Sequence, residues 1–270
     1  MADGFSGKWA VITGGGSGIG LSCAILLAQR GCNLILIDKA ENALHAATST
    51  LAEFHVETRH FTADVTDTES LEQIASDLTR DGIHVSYLIT AAGILQPMDD
   101  ISVLDRNMHD RLWNINYHGT YHACRIWGEV MRQAGRGAIV VISSITSMRA
   151  TPLLAYGPAK AALNALVSSL AVPFASDGIR INAAAPGFTM TAALADKFQK
   201  GERDGDSILQ HVPMRRFADA SEVAEVIAFL LSDAASAVTG ITMPVDCGWL
   251  AGSSWPTFGP LPTRTAPKMR

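Results

Sequence analysis

The stretch "AVITGGGSGIG" (residues 10–20) runs a short apolar segment into seven residues, five of them glycine. A glycine in an ordered element costs about 0.5–1 kcal/mol relative to alanine, so such a cluster needs a local reason. The reason lies in what flanks it. "WAVIT" (9–13) reads as a strand covered on both faces, and a helical pattern begins near Ile19 and closes on Gly31. A glycine turn between strand and helix lets backbone N–H groups and the helix N-terminus approach a diphosphate that any Cβ would block. The spacing Gly14-xxx-Gly18-x-Gly20 departs from GxGxxG, and no lysine follows Gly20, which excludes a P-loop. By itself the cluster would also serve as a purely structural turn.

The same rhythm continues outward. Further apolar runs are "NLILID" (33–38), "VSYLITAAG" (85–93), "GAIVVISS" (137–144), "IRINAAAPG" (179–187) and "ITMPVD" (241–246). Their hydrophobicity is continuous rather than alternating, which marks strands buried on both faces. Helical windows lie between them, such as "SEVAEVIAFLLSD" (221–233), where Ser221 and Glu222 read as a helix start. This alternation predicts one α/β domain over residues 1–250: a Rossmann-like, doubly wound parallel sheet of about seven strands flanked by helices, with right-handed crossovers. Residues 199–206, "QKGERDGD", are expected to form a lid within a substrate loop spanning 188–213. The segment 249–270 carries four prolines and cannot be another βα unit. The tail, 251–270, is expected to be disordered or to lie as an arm on a neighbouring subunit.

The bulk numbers exclude several functions. With 270 residues, 48% hydrophobic and 17% charged, the chain can bury a large core. A net charge of −5 leaves no basic footprint for nucleic acid. Cys23, Cys32, Cys124 and Cys247 are scattered and read as packing residues of a reducing compartment. Neither a basic-then-apolar leader nor an apolar run of about 18 residues is seen, so no membrane is expected and the cytoplasm is the default location. His118 and His122 stand four apart, but without a third ligand no metal is expected. Met98, Met148, Met190 and Met214 read as gap-fillers rather than pocket walls, and Arg215 and Arg216 as solvated or interface charges rather than anion binders.

Six residues are candidates to carry chemistry. Asp38 closes the second run, 20 residues past Gly18, where a carboxylate accepts hydrogen bonds from an adenosine ribose and repels a 2′-phosphate. That favours NAD over NADP, although a helix cap before "KAENAL" would look similar. Asp64, in "TADVTD", reads either as an adenine contact or as a turn residue. Tyr156 and Lys160, in "YGPAK", share one face of a helix, and Pro158 confines them to its first turn. A phenol of pKa about 10 is a poor acid/base near neutrality, and Lys160 is expected to make it more acidic. Ser143 and Ser144 close "GAIVVISS" at the strand edge where such sheets bind ligands.

In this order, "TGGGSGIG" (13–20), "DVTD" (64–67), "AAG" (91–93), "NINYHG" (114–119), "SS" (143–144), "YGPAK" (156–160), "INAAAPG" (181–187) and "DCGW" (246–249) resemble the short-chain dehydrogenase/reductase family over roughly residues 5–250. The resemblance implies Tyr156 as acid/base, Lys160 as the cation that lowers its pKa and holds the nicotinamide ribose, Ser144 as the group binding the substrate oxygen, and Asn116 as the anchor of a water leading protons away. It also implies NAD contacts from Gly14, Ser17, Gly18, Ile19, Gly20, Asp38, Asp64, Val65, Ala92, Gly93, Tyr156, Lys160, Pro186, Gly187, Thr189 and Thr191.

Some features depart from the family pattern. Thr90-Ala91-Ala92-Gly93 replaces the usual NNAG, Ser144 precedes Tyr156 by 12 residues rather than 13, and Cys247 stands where glycine is common. The spacing leaves Ser143 as the alternative to Ser144. The expected activity is NAD-dependent interconversion of a secondary alcohol and a ketone, with a polyol, sugar alcohol or hydroxy acid favoured. Dihydrodiol, steroid and 3-hydroxyacyl thioester dehydrogenases of the same family, and a non-catalytic NAD-sensing protein, are the alternatives. The family resemblance further implies a homo-oligomer, tetramer or dimer, built on helices around 105–130 and 156–175.

Overall fold

Ala10 and Ile12 of the first apolar run pack in one core and Val11 in another; Leu34 and Leu36 divide in the same way from Ile35 and Ile37. A strand with cores on both sides has no polar face, which is why these runs show no alternation. The computed structural model describes residues 4–262 except Asp99 and Phe258. Its elements follow in chain order: β1 (Trp9–Thr13), α1 (Gly18–Gln29), β2 (Asn33–Asp38), α2 (Glu41–Leu51), β3 (Thr58–Thr62), α3 (Thr68–Arg80), β4 (Val85–Thr90) and α4 (Arg106–Trp113). A π-helical turn (Asn114–His118) then leads into α5 (Gly119–Ala134), followed by β5 (Gly137–Ile142), α6 (Tyr156–Ser176), β6 (Ile179–Pro186), β7 (Thr189–Met190) and α7 (Ala192–Gln199). The chain continues through α8 (Gly205–Leu209), β8 (Ala218–Asp219), α9 (Ala220–Leu231), β9 (Thr242–Val245) and α10 (Trp249–Gly252).

The sheet has seven parallel strands in the order β3-β2-β1-β4-β5-β6-β9. Side chains of α1, α2 and α9 cover one face, and those of α3, α5 and α6 the other. Chain order reverses between β1 and β4, so the loops leaving these two strands open a crevice at the carboxyl edge, where doubly wound sheets bind ligands. The seventh strand, β3, is the edge strand, and no residue in it is fully buried. Its residues, "TRHFT", are largely polar because an edge needs no second apolar face, and so it was not among the apolar runs.

Several expectations need correction. Helix α9 starts at Asp219 rather than Ser221: Asp219 and Glu222 form a reciprocal capping box, while Arg216 grips the Glu222 carboxylate with two bonds of 2.6 and 2.7 Å. Arg215 donates to the carbonyls of Gln210 and Leu261, at 2.8 and 3.4 Å. The described part of the tail does not simply trail away. It turns back on its own chain, with Leu261 buried, Arg149 donating to the Ser253 hydroxyl at 3.1 Å and the Trp255 indole donating to Pro260. Residues 263–270 lie outside the described part.

Cys23, Cys32 and Cys124 are buried as expected, but Cys247 is half-buried and sits at φ +51°, the left-handed region that favours glycine. Among the described residues, α6 alone is long and apolar enough, by length and composition, to cross a membrane. It lies on the sheet, with Leu163, Val167, Ala171 and Phe174 in the core.

Candidate active site

The glycine turn leaves β1 and packs against the backbone leaving β4. Gly14 has φ +69°, and a Cβ there would lie 2.6 Å from the Ala92 nitrogen. Gly18, at φ +54°, opens α1 toward free space, where a Cβ would meet only the Thr191 methyl at 3.9 Å. Ser17 caps α1 without a side-chain bond, and no acid occupies the first turn. The N-terminal amides of α1 therefore have no side-chain acceptor, which suits an incoming anion.

Asp38 ties the glycine turn to the end of β2. One carboxylate oxygen accepts from the Gly16 N–H at 3.2 Å, and the other from Ala40 at 3.0 Å. Asp64 binds the backbone N–H and hydroxyl of Thr66 at 2.9 and 2.8 Å, as a turn aspartate does. Val65 is buried against the start of α5, where a Cβ on Gly119 would lie 2.5 Å from its methyl.

Tyr156 and Lys160 open α6, with Pro158 in its first turn. The Lys160 ammonium lies 5.6 Å from the Tyr156 ring centroid and donates to the Ile142 carbonyl at 2.7 Å. That bond uses one of three donors. Gly93 leaves room beside it: a Cβ there would come within 3.9 Å of the ammonium and 3.2 Å of the Asn116 side chain. Asn116, fully buried, pairs with both backbone groups of Ile94 at 2.8 and 2.9 Å. This ladder ties the loop after β4 to the π-turn, a task for which NNAG asparagines are not needed here.

The two serines part company. Ser143 donates to the Asn164 carbonyl at 2.6 Å and is buried beneath α6. Ser144 accepts from the Thr146 N–H at 3.2 Å, and its hydroxyl proton is directed at the Tyr156 phenol, whose pKa it lowers.

Burial dominates the electrostatics of the pair. It pushes the Tyr156 phenol up to about 12, and the bond from Ser144 offsets only part of this. Burial likewise pulls Lys160 down to about 8, with the ammonium lying over the phenol ring.

A cavity of about 450 Å³ joins the parts. Ile19 from α1, Ser144 and Tyr156, and Pro186, Gly187, Thr189 and Thr191 from beyond β6 all stand on its wall. Lys160, Asn116, Asp38, Asp64, Val65, Ala92 and Gly93, and Gly14, Ser17, Gly18 and Gly20 of the glycine turn, are not part of that wall. Thr191 caps α7 by accepting from Leu194 at 3.3 Å, and Thr189 is held in the β7–β8 pair. Of the four methionines, Met98 is on the wall. The rings of His118 and His122 are 6.4 Å apart, and among the described residues no three His, Cys, Asp or Glu side chains converge.

One residue of the site was not singled out from the sequence. Gln96, 2% exposed, accepts from the N–H groups of Ala155 and Tyr156, each at 2.7 Å. It caps α6 from a distant loop, because Ala155, at the cap position, offers no side-chain acceptor. Nothing local in "GILQP" could have revealed a partner about 60 residues away.

The sheet order, the uncapped helix after a glycine turn and the Ser–Tyr–Lys cluster define a nucleotide-dependent oxidoreductase of the Rossmann type. The chain belongs to the short-chain dehydrogenase/reductase family: a family profile described as enoyl-(acyl carrier protein) reductase matches residues 14–250. It is 36% identical to galactitol 2-dehydrogenase of Rhizobium johnstonii, covering 90% of this chain and 95% of that one. It is equally 36% identical to cis-4-hydroxycyclohexanecarboxylate dehydrogenase of Sinomonas cyclohexanicum, covering 93% and 100%. Among solved structures, one titled ribose-5-phosphate isomerase from Brucella melitensis superposes with a TM-score of 0.91 at 36% identity over 97% and 100% of the chains. NAD+-bound xylitol dehydrogenase gives 0.85 at 29% identity over 90% and 98%. ElxO with NADP bound gives 0.86 at 29% identity over 90% and 99%. Both nicotinamide dinucleotides thus occur among its structural neighbours.

Proposed function

We propose that this chain is an NAD(H)-dependent dehydrogenase that interconverts a small secondary alcohol and its ketone. The observation that carries the reading is the meeting of Ser144 and Tyr156 at one cavity that also receives the start of α1, with the buried Lys160 ammonium 5.6 Å from the Tyr156 ring centroid behind it. A binding-only protein has no need for a cation held at 4% exposure beside a phenol. Asp38, at the rim of the glycine turn, supports NAD over NADP through repulsion of a 2′-phosphate.

Bound at the glycine turn and beside Pro186, Gly187, Thr189 and Thr191, the dinucleotide supplies the hydride acceptor. The chain's own residues manage the proton. Ser144 donates to the substrate oxygen and holds it against Tyr156, which takes the hydroxyl proton in oxidation and returns it in reduction. Lys160 favours the phenolate as it forms, and Asn116 anchors the exit for the proton. With the phenol near 12, its protonated form dominates at neutral pH. Reduction therefore runs from the resting protonation state, whereas oxidation accelerates as pH rises.

Galactitol and a hydroxycyclohexanecarboxylate, named for the two relatives, support a polyol or hydroxy acid as substrate. Tyr156→Phe tests the mechanism: turnover falls by about 10²–10⁴ while NAD binding, read by fluorescence titration, persists. A variant that keeps most of its activity sinks it. We further propose a homo-oligomer built on α5 and α6, where Val172 is 75% exposed and a hollow with an apolar floor of Ile126, Leu170 and Phe174 is rimmed by Tyr121 and the charged Glu72, Arg125, Glu129 and Arg132. Light scattering that finds only monomer at micromolar concentration refutes it.

A further inference from the structure

The wall of the cavity has an unusual composition. It includes Leu95, Met98, Ile145, Leu153, Phe188, Leu194 and Trp249, and among its described residues there is no Asp, Glu, Asn, Gln or His. A polyol presents several hydroxyls, each needing a partner once desolvated, and besides the hydroxyls of Ser143, Ser144, Tyr156 and four threonines the described wall offers no carboxylate or amide to meet them. Among the described residues its only charged side chains are two cations, Lys197 near the end of α7 and Arg203 in the loop before α8.

Both cations are half-buried, and among the described residues neither has an ion-pair or hydrogen-bond partner. Their neighbours behave differently: Lys200 is paired with Asp196 at 2.6 Å, and Arg216 is locked onto Glu222. In a chain of net charge −5, two unpaired cations facing one apolar cavity call for an anion that the protein does not supply.

Resting on the dehydrogenase reading above, we infer that the substrate is a hydroxy acid with an apolar body, whose carboxylate is held by Lys197 and Arg203. The carbinol end meets Ser144 and Tyr156 on the sheet edge, and the anionic end meets the lid, with the apolar wall between them. Arg203 can take a carboxylate with two parallel bonds, and Lys197 adds a point charge. Because both cations lie on the α7–α8 segment, an anionic substrate would also draw that segment over the cavity.

The test compares hydroxycyclohexanecarboxylates with their methyl esters and with hexitols, at saturating NAD. The acids are expected to exceed the esters in kcat/KM by about tenfold or more, and Arg203→Gln and Lys197→Gln each to cut that acid-to-ester ratio by about tenfold. Lys200→Gln, on the same helix but outside the cavity, leaves the ratio as it is. Equal rates for acid and ester, or hexitols as the best substrates, overturn the inference while leaving the dehydrogenase reading intact. So does a rise in the NAD Kd of both variants with the ratio unchanged, which would assign the cations to the dinucleotide. Failure of the dehydrogenase reading is seen separately, as no NAD reduction with any alcohol. In that case, binding of cyclohexanecarboxylate by calorimetry to the wild type but not to Arg203→Gln still supports the anion site, and equal or absent binding overturns it.

Discussion

Replacing Lys160 with methionine is expected to make the protein more stable and inactive. Burial holds the ammonium at about 8 against an ordinary 10.5. At about 1.36 kcal/mol per decade, that difference means the charged lysine costs the fold about 3 kcal/mol at neutral pH. Methionine removes the charge with nearly the same shape, but forfeits the 2.7 Å bond to the Ile142 carbonyl, a loss of about 1 kcal/mol. The net gain is about 2 kcal/mol, or roughly 5 °C in Tm for a chain of this size.

A second readout separates this cause from better packing. The folded-state pKa is depressed, so the unfolded chain holds the proton between about 8 and 10.5 while the folded chain does not, and wild-type stability climbs over that window. The advantage of Lys160→Met should thus shrink by about 2 kcal/mol between pH 7 and pH 10. Urea unfolding of both proteins at equal protomer concentration measures it. A variant less stable than wild type at pH 7, or a difference that does not change with pH, refutes the reasoning. Such a gain on removing a group proposed to serve catalysis is the usual trade between stability and activity.

Three further outcomes are expected. Gln96→Ala leaves two buried N–H groups at the start of α6 without their acceptor, lowering stability by about 3 kcal/mol and kcat along with it, while Gln96→Glu, which keeps the oxygen, restores much of both in unfolding and rate assays. Cys247→Gly relieves a left-handed residue and should raise stability by about 1 kcal/mol in chemical denaturation; a loss would show that the half-buried thiol packs better than its backbone is strained. Asp38→Asn keeps a capping oxygen but removes the charge, so the NAD/NADP preference in kcat/KM should fall by about tenfold or more, and an unchanged ratio would remove Asp38 from cofactor choice.

Much of the architecture was legible because it rests on local periodicities. Apolar runs without alternation can only be strands covered on both sides, and helical windows between them force parallel crossovers; the strands from Trp9 to Val245 fall where those runs lie. The edge strand Thr58–Thr62 escaped because a half-exposed strand need not be apolar. Tyr156 and Lys160 were readable as neighbours since four residues is one helical turn, and Gly14 and Gly18 because backbone approach and positive φ leave a mark in composition.

The tertiary structure decided what depends on residues far apart in the chain. Ser144 rather than Ser143 meets the phenol because Asn164, on α6, holds the other hydroxyl. The phenol is held high and the lysine low because burial sums over every element packed around them, a quantity no four-residue motif contains. Gln96 caps a helix some 60 residues away, the described part of the tail folds onto its own chain, and among the described residues Lys197 and Arg203 stand on the cavity wall without partners. Spacing along a sequence reports periodic geometry; proton affinity and charge balance are set by three-dimensional surroundings, which is why the reaction class could be read early and the character of the site only from the fold.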